Sequence, residues 1–283
     1  LPHHQNYAVT RYGQIREVLR NWPVFSSASG VAGDEVACQF TRGNTLASDP
    51  PRHDTLRSIL VAPLLPGELE KSRAGIEGAA KGLIDDLVER RSFDGMADLA
   101  RFLPLTVVRD LVGLPDDGRD AMLEWASAAF DLLGVQNERG RAGMEVIRGM
   151  REWILTQTSP ERLKKGSWTA RIRDLELQGA IDPALTSFLI RGYIGPSLDT
   201  TISATGEMLY QLGRSPDQWE LLRRDHSLIP NAVQEAIRLA TPIRSFTRTV
   251  LSDTVLDGVP IPRGSRVMLV FASGNRDPRK FED

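Results

Sequence analysis

The sequence is short of cysteine. Cys38 is the single one in 283 residues, which excludes an internal disulfide and a cysteine-built zinc cluster and makes a reducing compartment, the cytoplasm, the simplest expectation. Uninterrupted apolar stretches are lacking too. The most apolar long segment, residues 188–212, is broken by Arg191, Asp199 and Glu207, which suits a buried helix and not a membrane span. Neither sign of charge is in excess. The formal net charge is −2, so the overall balance does not point to nucleic acid or an anionic membrane. Internal repeats, low-complexity tracts and an obvious linker are also missing. What remains is 41% hydrophobic and 25% charged residues, an ordinary globular composition with material for a sizeable core. The expectation is one mainly helical unit over residues 1–283 with a small strand-rich element.

Periodicity and punctuation place the elements. Residues 7–12 read as a strand and 14–21 as a short amphipathic helix. Residues 25–45, rich in Gly, Ser and Ala, read as one long loop of the kind that often carries function. Asp49 as cap and Pro50 at the first helical position open a helix to about Val61. Helical spacing recurs over 68–89, 102–112, 119–133 and 141–157, while 159–179 is polar and ambiguous. Asp182-Pro183 opens the longest helix, which ends near Gly213 and is roughly 45 Å long. Ser215-Pro216 and Pro230 open two more, the second ending before Pro242. Residues 254–259 and 266–272 read as strands joined through Pro260, Pro262 and Gly264.

Four segments carry chemistry. In Asp49-Pro50-Pro51-Arg52-His53-Asp54-Thr55-Leu56-Arg57, His53 and Arg57 share one helical face beside Leu56 and Leu60. Two potential cations bordering apolar residues could grip the acidic edge of an apolar cofactor, the arginine through paired donors suited to a carboxylate. The alternative is a capped surface helix with ordinary charges. Gly195-Pro196-Ser197-Leu198-Asp199-Thr200-Thr201 lies midway along the longest helix. Pro196 deprives the Gly192 carbonyl of its helical donor and crowds it, so the helix should kink or open there. An opened turn can hold a small molecule and water, with Asp199 and Thr200 passing protons inward. Alternatively the kink is only structural and Thr200 bonds back to its own helix. Glu235 and Arg238 pair on one helical face, a structural fixture and not a catalyst. In Thr241-Pro242-Ile243-Arg244-Ser245-Phe246-Thr247-Arg248, Arg248 is either a second anion clamp or an exposed strand-edge arginine.

The order of these pieces says more than any one of them. A DPPxH…R helix, a central xDTT helix, ExxR, then IPxGxxV and NRDPxxF resembles the bacterial cytochrome P450 family, from about Tyr7 to Asp283. The resemblance implies a mainly α heme-thiolate fold with a small β-sheet region, and heme b (iron protoporphyrin IX) as cofactor. It implies that His53, Arg57 and Arg248 hold heme propionates, that Asp199 and Thr200 manage protons during oxygen activation, and that Glu235 and Arg238 brace the core behind the heme. Arg191, Gly195, Ile243 and Phe246, with the segment 25–46, fall where the family shapes its substrate pocket. The implied activity is that of a monooxygenase. One atom of O2 enters a small organic substrate and the other leaves as water, with electrons from a ferredoxin-type partner and an NAD(P)H reductase. Residues 241–248 and 271–281 are similar to members acting on small aromatic acids, which makes Arg191 or Arg244 a candidate for meeting a substrate carboxylate.

Two departures matter. Pro196-Ser197 stands where the family usually has Ala-Gly, so the oxygen-binding groove should differ in shape, and a heme enzyme using peroxide directly stays open. The resemblance also implies further helices before Leu1 and a cysteine-bearing loop after Asp283. No metal ligand is therefore expected in this chain, and a truncated, catalytically inactive member of the family is a further reading of the polypeptide by itself. Cys38 precedes the first propionate helix and lacks the family's surrounding Phe, Gly and His. It reads as a buried small hydrophobe or an idle thiol. A helical interaction module carrying the motifs by chance has the ordered coincidence of five elements against it.

Overall fold

The computed structural model describes residues 6–282. In chain order the helices are α1 (Tyr12–Arg20), α2 (Glu35–Thr41), α3 (Arg52–Val61), α4 (Pro66–Glu70), α5 (Arg73–Arg90), α6 (Arg109–Val112), α7 (Asp116–Leu132), α8 (Glu138–Gln157), α9 (Trp168–Leu177), α10 (Pro183–Arg214), α11 (Pro216–Arg224), α12 (Ile229–Ala240) and α13 (Phe271–Gly274). The strands are β1 (Asn6–Val9), β2 (Phe25–Ser26), β3 (Phe246–Val250), β4 (Thr254–Leu256), β5 (Val259–Ile261) and β6 (Arg266–Leu269). Two wide π-type turns, Gly95–Ala100 and Pro104–Val108, lie between α5 and α6.

The axis of the molecule is α10. Asp182 starts it by accepting from the Ala184 amide at 2.9 Å, and Pro183 sits in the first turn, where a missing N–H costs nothing. Leu189, Ile190, Tyr193, Ile194 and Leu198 are buried and meet Met122, Trp125 and Leu132 of α7 and Met144, Ile147 and Met150 of α8 in the larger core. The helices α7 and α8 come close because Gly143 has no side chain. A Cβ there would lie 2.9 Å from the Ala128 carbonyl oxygen. The helix α3 is drawn onto α10 in the same manner. A Cβ on Gly192 would approach Leu60 Cδ1 to 3.0 Å, and the Tyr193 hydroxyl donates to the Leu60 carbonyl at 3.2 Å. These contacts fix the helix that carries His53 and Arg57.

A smaller core lies under a four-stranded sheet of order β1-β6-β3-β2, with β1 parallel to β6 and the other pairs antiparallel. Alternate residues Val267 and Leu269 turn inward with Val9, Phe25 and Val250 onto Ile15 and Val18 of α1. A separate hairpin pairs β4 with β5.

Several sequence expectations are corrected. The segment 25–45 is not one loop: it holds β2 and α2, the helix started by Asp34, whose carboxylate accepts from the Ala37 amide at 3.1 Å. Seven residues are too few to show a helical period. Asp49 does not cap α3 with its side chain, which instead accepts from the Ser26 hydroxyl and, at 2.9 Å, from the Ser27 amide. The ambiguous 159–179 region contains α9, capped by Ser167. No turn opens at Pro196, since α10 runs unbroken through it. The Thr200 hydroxyl donates to the Pro196 carbonyl at 2.6 Å and Thr201 to that of Ser197 at 3.0 Å. The segments expected as single strands at 254–259 and 266–272 are each divided. The first is the β4–β5 hairpin, β6 lies between β1 and β3, and α13 follows it.

Candidate functional site

The strand β3 sets Arg248 opposite Val267 of β6. Its guanidinium is half-buried, and burial pushes its pKa down while the charge of Asp49 pulls it back up. Among the described residues it makes one hydrogen bond, to the Thr247 carbonyl at 2.8 Å. A guanidinium has five donors, so most of this one's are free for an anion. The Asp49 carbonyl accepts the His53 amide at the start of α3 at 2.9 Å. On α3, His53 is half-buried and the buried Leu56 and Leu60 lie beside it on adjoining turns. Arg57 is exposed, and His53 Nδ1 lies 3.2 Å from Asp54 Oδ1.

On α10, Asp199 is half-buried and its carboxylate has no hydrogen bond or ion pair among the described residues. Burial raises its pKa, the charge of Asp131 raises it further, and Arg101 lowers it. Asp199 lines a cleft of about 560 Å3 with Arg101, Glu124, Ser127 and Asp131. Thr200 lies about 100° further round the helix, its hydroxyl committed to the Pro196 carbonyl. Gly195 faces α7, where a Cβ would lie 3.5 Å from Ala129 Cβ.

Arg191, also on α10, is half-buried with its pKa pushed down to about 10, by burial first and then by the neighbouring charge of Arg151. Both guanidinium groups flank the Phe188 ring, Arg191 at 5.3 Å and Arg151 at 5.9 Å from its centroid. Arg191 forms no ion pair among the described residues. Arg244, by contrast, is exposed. Ile243 and Phe246 are half-buried, and Phe246 meets Phe271 edge to face at 6.0 Å.

Glu235 and Arg238 do pair, with Nε to Oε2 at 2.7 Å, and this holds the Glu235 carboxyl below its usual pKa. Arg238 also donates to the Asn275 carbonyl and lies 4.6 Å over the Phe281 ring. Asn275 returns a bond from Nδ2 to Thr241 Oγ1 at 3.0 Å, and Asp277 accepts from the Tyr12 amide at 2.9 Å. The NRDPxxF segment is thereby clamped to α12 and α1. The sequence showed that segment as a motif but gave no role to Asn275, Asp277 or Phe281. It gave no sign of Asp131 or Arg151, whose neighbours lie on other helices. Cys38 is wholly buried and takes a bond from Arg266 at 2.7 Å. Among the described residues no cluster of three or more His, Cys, Asp or Glu could hold a metal.

A family profile described as "Cytochrome P450" matches residues 193–283. The cytochrome P450 CYP199A2 of Rhodopseudomonas palustris is 33% identical over 281 residues, covering 98% of this chain and 68% of that protein. The chain belongs to the cytochrome P450 family. A steroid C26-monooxygenase of Mycobacterium tuberculosis is 27% identical over 286 residues, covering 97% of this chain and 76% of that protein. The solved structure of Mycobacterium marinum cytochrome P450 CYP268A2 in complex with pseudoionone superposes with a TM-score of 0.83 at 28% identity, over 97% of this chain and 69% of that one. The mainly helical fold with its small sheets is the P450 fold.

P450 enzymes carry heme b, and the residues here fit its acidic edge. Arg248 is a partly desolvated cation with unused donors that feels the charge of Asp49, and the Asp49 carbonyl accepts the amide of His53 at the start of α3. Cys38, enclosed beside Arg266, is not placed to hold iron. Among the described residues no helix is long and apolar enough to cross a membrane.

Proposed function

We propose that this P450 inserts one oxygen atom from O2 into a small organic acid, in particular an aromatic one, with electrons from a ferredoxin-type protein and an NAD(P)H reductase. The observation that carries the reading is the pair of arginines on Phe188. A desolvated guanidinium beside a second cation and without an acid is unfavourable. A substrate carboxylate at Arg191 offsets that cost, and the Phe188 face suits an aromatic neighbour.

When bound, the heme supplies the oxygen-activating chemistry, favoured by electron donation from a cysteine thiolate. The chain supplies placement and protons. His53, Arg57 and Arg248 hold the propionates through charge-assisted hydrogen bonds. Asp199, whose carboxyl takes a proton more readily than usual, picks one up from the cleft and passes it toward Thr200. Ile243 and Phe246 shape the wall against which the substrate lies. Glu235 and Arg238 keep α12 and the segment beyond it in place.

The test is a spectral titration of the heme-loaded protein with a panel of aromatic acids and their neutral amides. Acids should shift the Soret band and the amides should not. A panel that leaves the spectrum unchanged sinks the acid reading. Direct use of peroxide is a second reading, favoured by one observation: the Thr200 hydroxyl is bonded within its own helix. Turnover with peroxide, and none with O2 plus ferredoxin and reductase, selects it.

A further inference from the structure

A second acid shares the cleft of Asp199. Asp131, at the end of α7, lines the same space of about 560 Å3 between α7, α8 and α10. Its side chain is 23% exposed and is paired at 2.7 Å with Arg139 of α8, whose own side chain is 76% exposed. Asp199 has no such partner among the described residues. The other charges on the cleft walls are Glu124 of α7 and Arg101, which follows the first π-type turn. From α10 the charge is Asp199 alone, and α8 contributes Arg139 through its pair with Asp131.

We infer that Asp131 is a positioning residue for proton uptake: it holds a negative charge across the cleft from Asp199, so that Asp199 draws a proton from solvent, and its pair with Arg139 sets how strongly. This rests on Asp199 handling protons as proposed above. Two carboxylates in one partly dry cleft are costly to charge together, and the proton goes to the one that forms no ion pair. That one is Asp199. The shift at Asp199 runs in the matching direction, with burial first among its causes, Asp131 second, and Arg101 opposing. Arg139 stands mostly in water, so its bridge is easily exchanged for solvent. With the bridge open, Asp131 presses harder on Asp199 and favours the protonated form. With it closed, the pressure falls. Uptake forms one O–H bond at Asp199 and breaks one O–H bond of the hydronium that donates the proton, leaving water, with no change of oxidation state.

The experiment is an infrared pH titration of the heme-loaded protein at rest, following the C=O stretch of the protonated Asp199 carboxyl. Loss of the band in Asp199→Asn assigns it. Asp131→Asn should move the Asp199 midpoint to lower pH, as a several-fold loss of proton affinity. Arg139→Gln should move it to higher pH. Should Asp131→Asn fold poorly, Arg139→Gln decides at an exposed site, and a midpoint that stays or falls overturns the inference. No turnover enters this readout. An unmoved midpoint therefore removes the role of Asp131, whereas full turnover in Asp199→Asn removes the proton role of Asp199 itself.

Discussion

The hydroxyl of Tyr193 donates to the carbonyl of Leu60 at 3.2 Å in the seam where α10 meets α3. Burial pushes the phenol pKa up to about 12, so it stays a donor at any ordinary pH. The carbonyl belongs to the last turn of α3, where helical partners run out. Tyr193→Phe should therefore cost about 1 kcal/mol in denaturant unfolding. Because α3 carries His53 and Arg57, the same variant should release heme faster. A variant as stable as the parent would mean that the seam is held by Gly192 and apolar packing alone.

Arg248 should show effects of opposite sign in the two states of the protein. Burial disfavours its charge, and one carbonyl is its hydrogen-bond partner among the described residues. Arg248→Met removes that unfavourable charge, so heme-free protein should melt higher. The same change removes a propionate contact, and heme affinity should fall by about tenfold, equivalent to ~1.4 kcal/mol. Parallel heme titrations and apo-protein melts check both. A fall in both quantities would make Arg248 a purely structural residue.

Local chemistry was readable in the sequence and contacts between helices were not. Asp182-Pro183 and the break at Ser215-Pro216 gave the bounds of α10 almost to the residue, because capping and proline act within one turn. The spacing of Glu235 and Arg238 gave their pair for the same reason. Asp49 looked like a cap, yet Ser26 and Ser27 from another segment claim its carboxylate. Pro196 looked like a break, yet Ile194 and Leu198 on either side of it are held in the core, and that packing keeps the helix intact. The strand β3 is short and had no local turn to announce it; its partners are β2 and β6. No periodicity could have set Arg151 beside Arg191 or Asp131 beside Asp199, since each pair joins different helices.

The Glu235–Arg238 pair should be asymmetric under mutation. Glu235 is 54% exposed and Arg238 19%. Losing the glutamate weakens one largely solvated ion pair, for which about 0–1 kcal/mol is the usual range. Losing the arginine also removes its bond to the Asn275 carbonyl and its stacking on Phe281. Arg238→Ala should cost roughly 2 kcal/mol or more, and Arg238→Lys should recover little, because an ammonium lacks the planar fork. Chemical denaturation of the variants measures this. Equal losses from the two alanine variants would reduce the site to its ion pair.

Asp199→Asn should change stability with pH in a definite sense. The Asp199 carboxyl has a folded-state pKa raised above its ordinary 3.8, by burial first and by Asp131 second. The folded chain thus binds this proton more tightly than the unfolded chain. The stability linked to it is fully present below the unfolded value and is lost as pH rises through the folded one. At neutral pH the wild type holds a disfavoured charge that asparagine does not have, so the variant should melt higher. As pH falls below the folded midpoint the two melting curves should converge, and near pH 3.8 the gap should close. Turnover should move the other way, falling by roughly a hundredfold as proton delivery slows. A melting difference independent of pH would remove the raised carboxyl from the account. Turnover equal to the wild type would leave Asp199 as a structural acid.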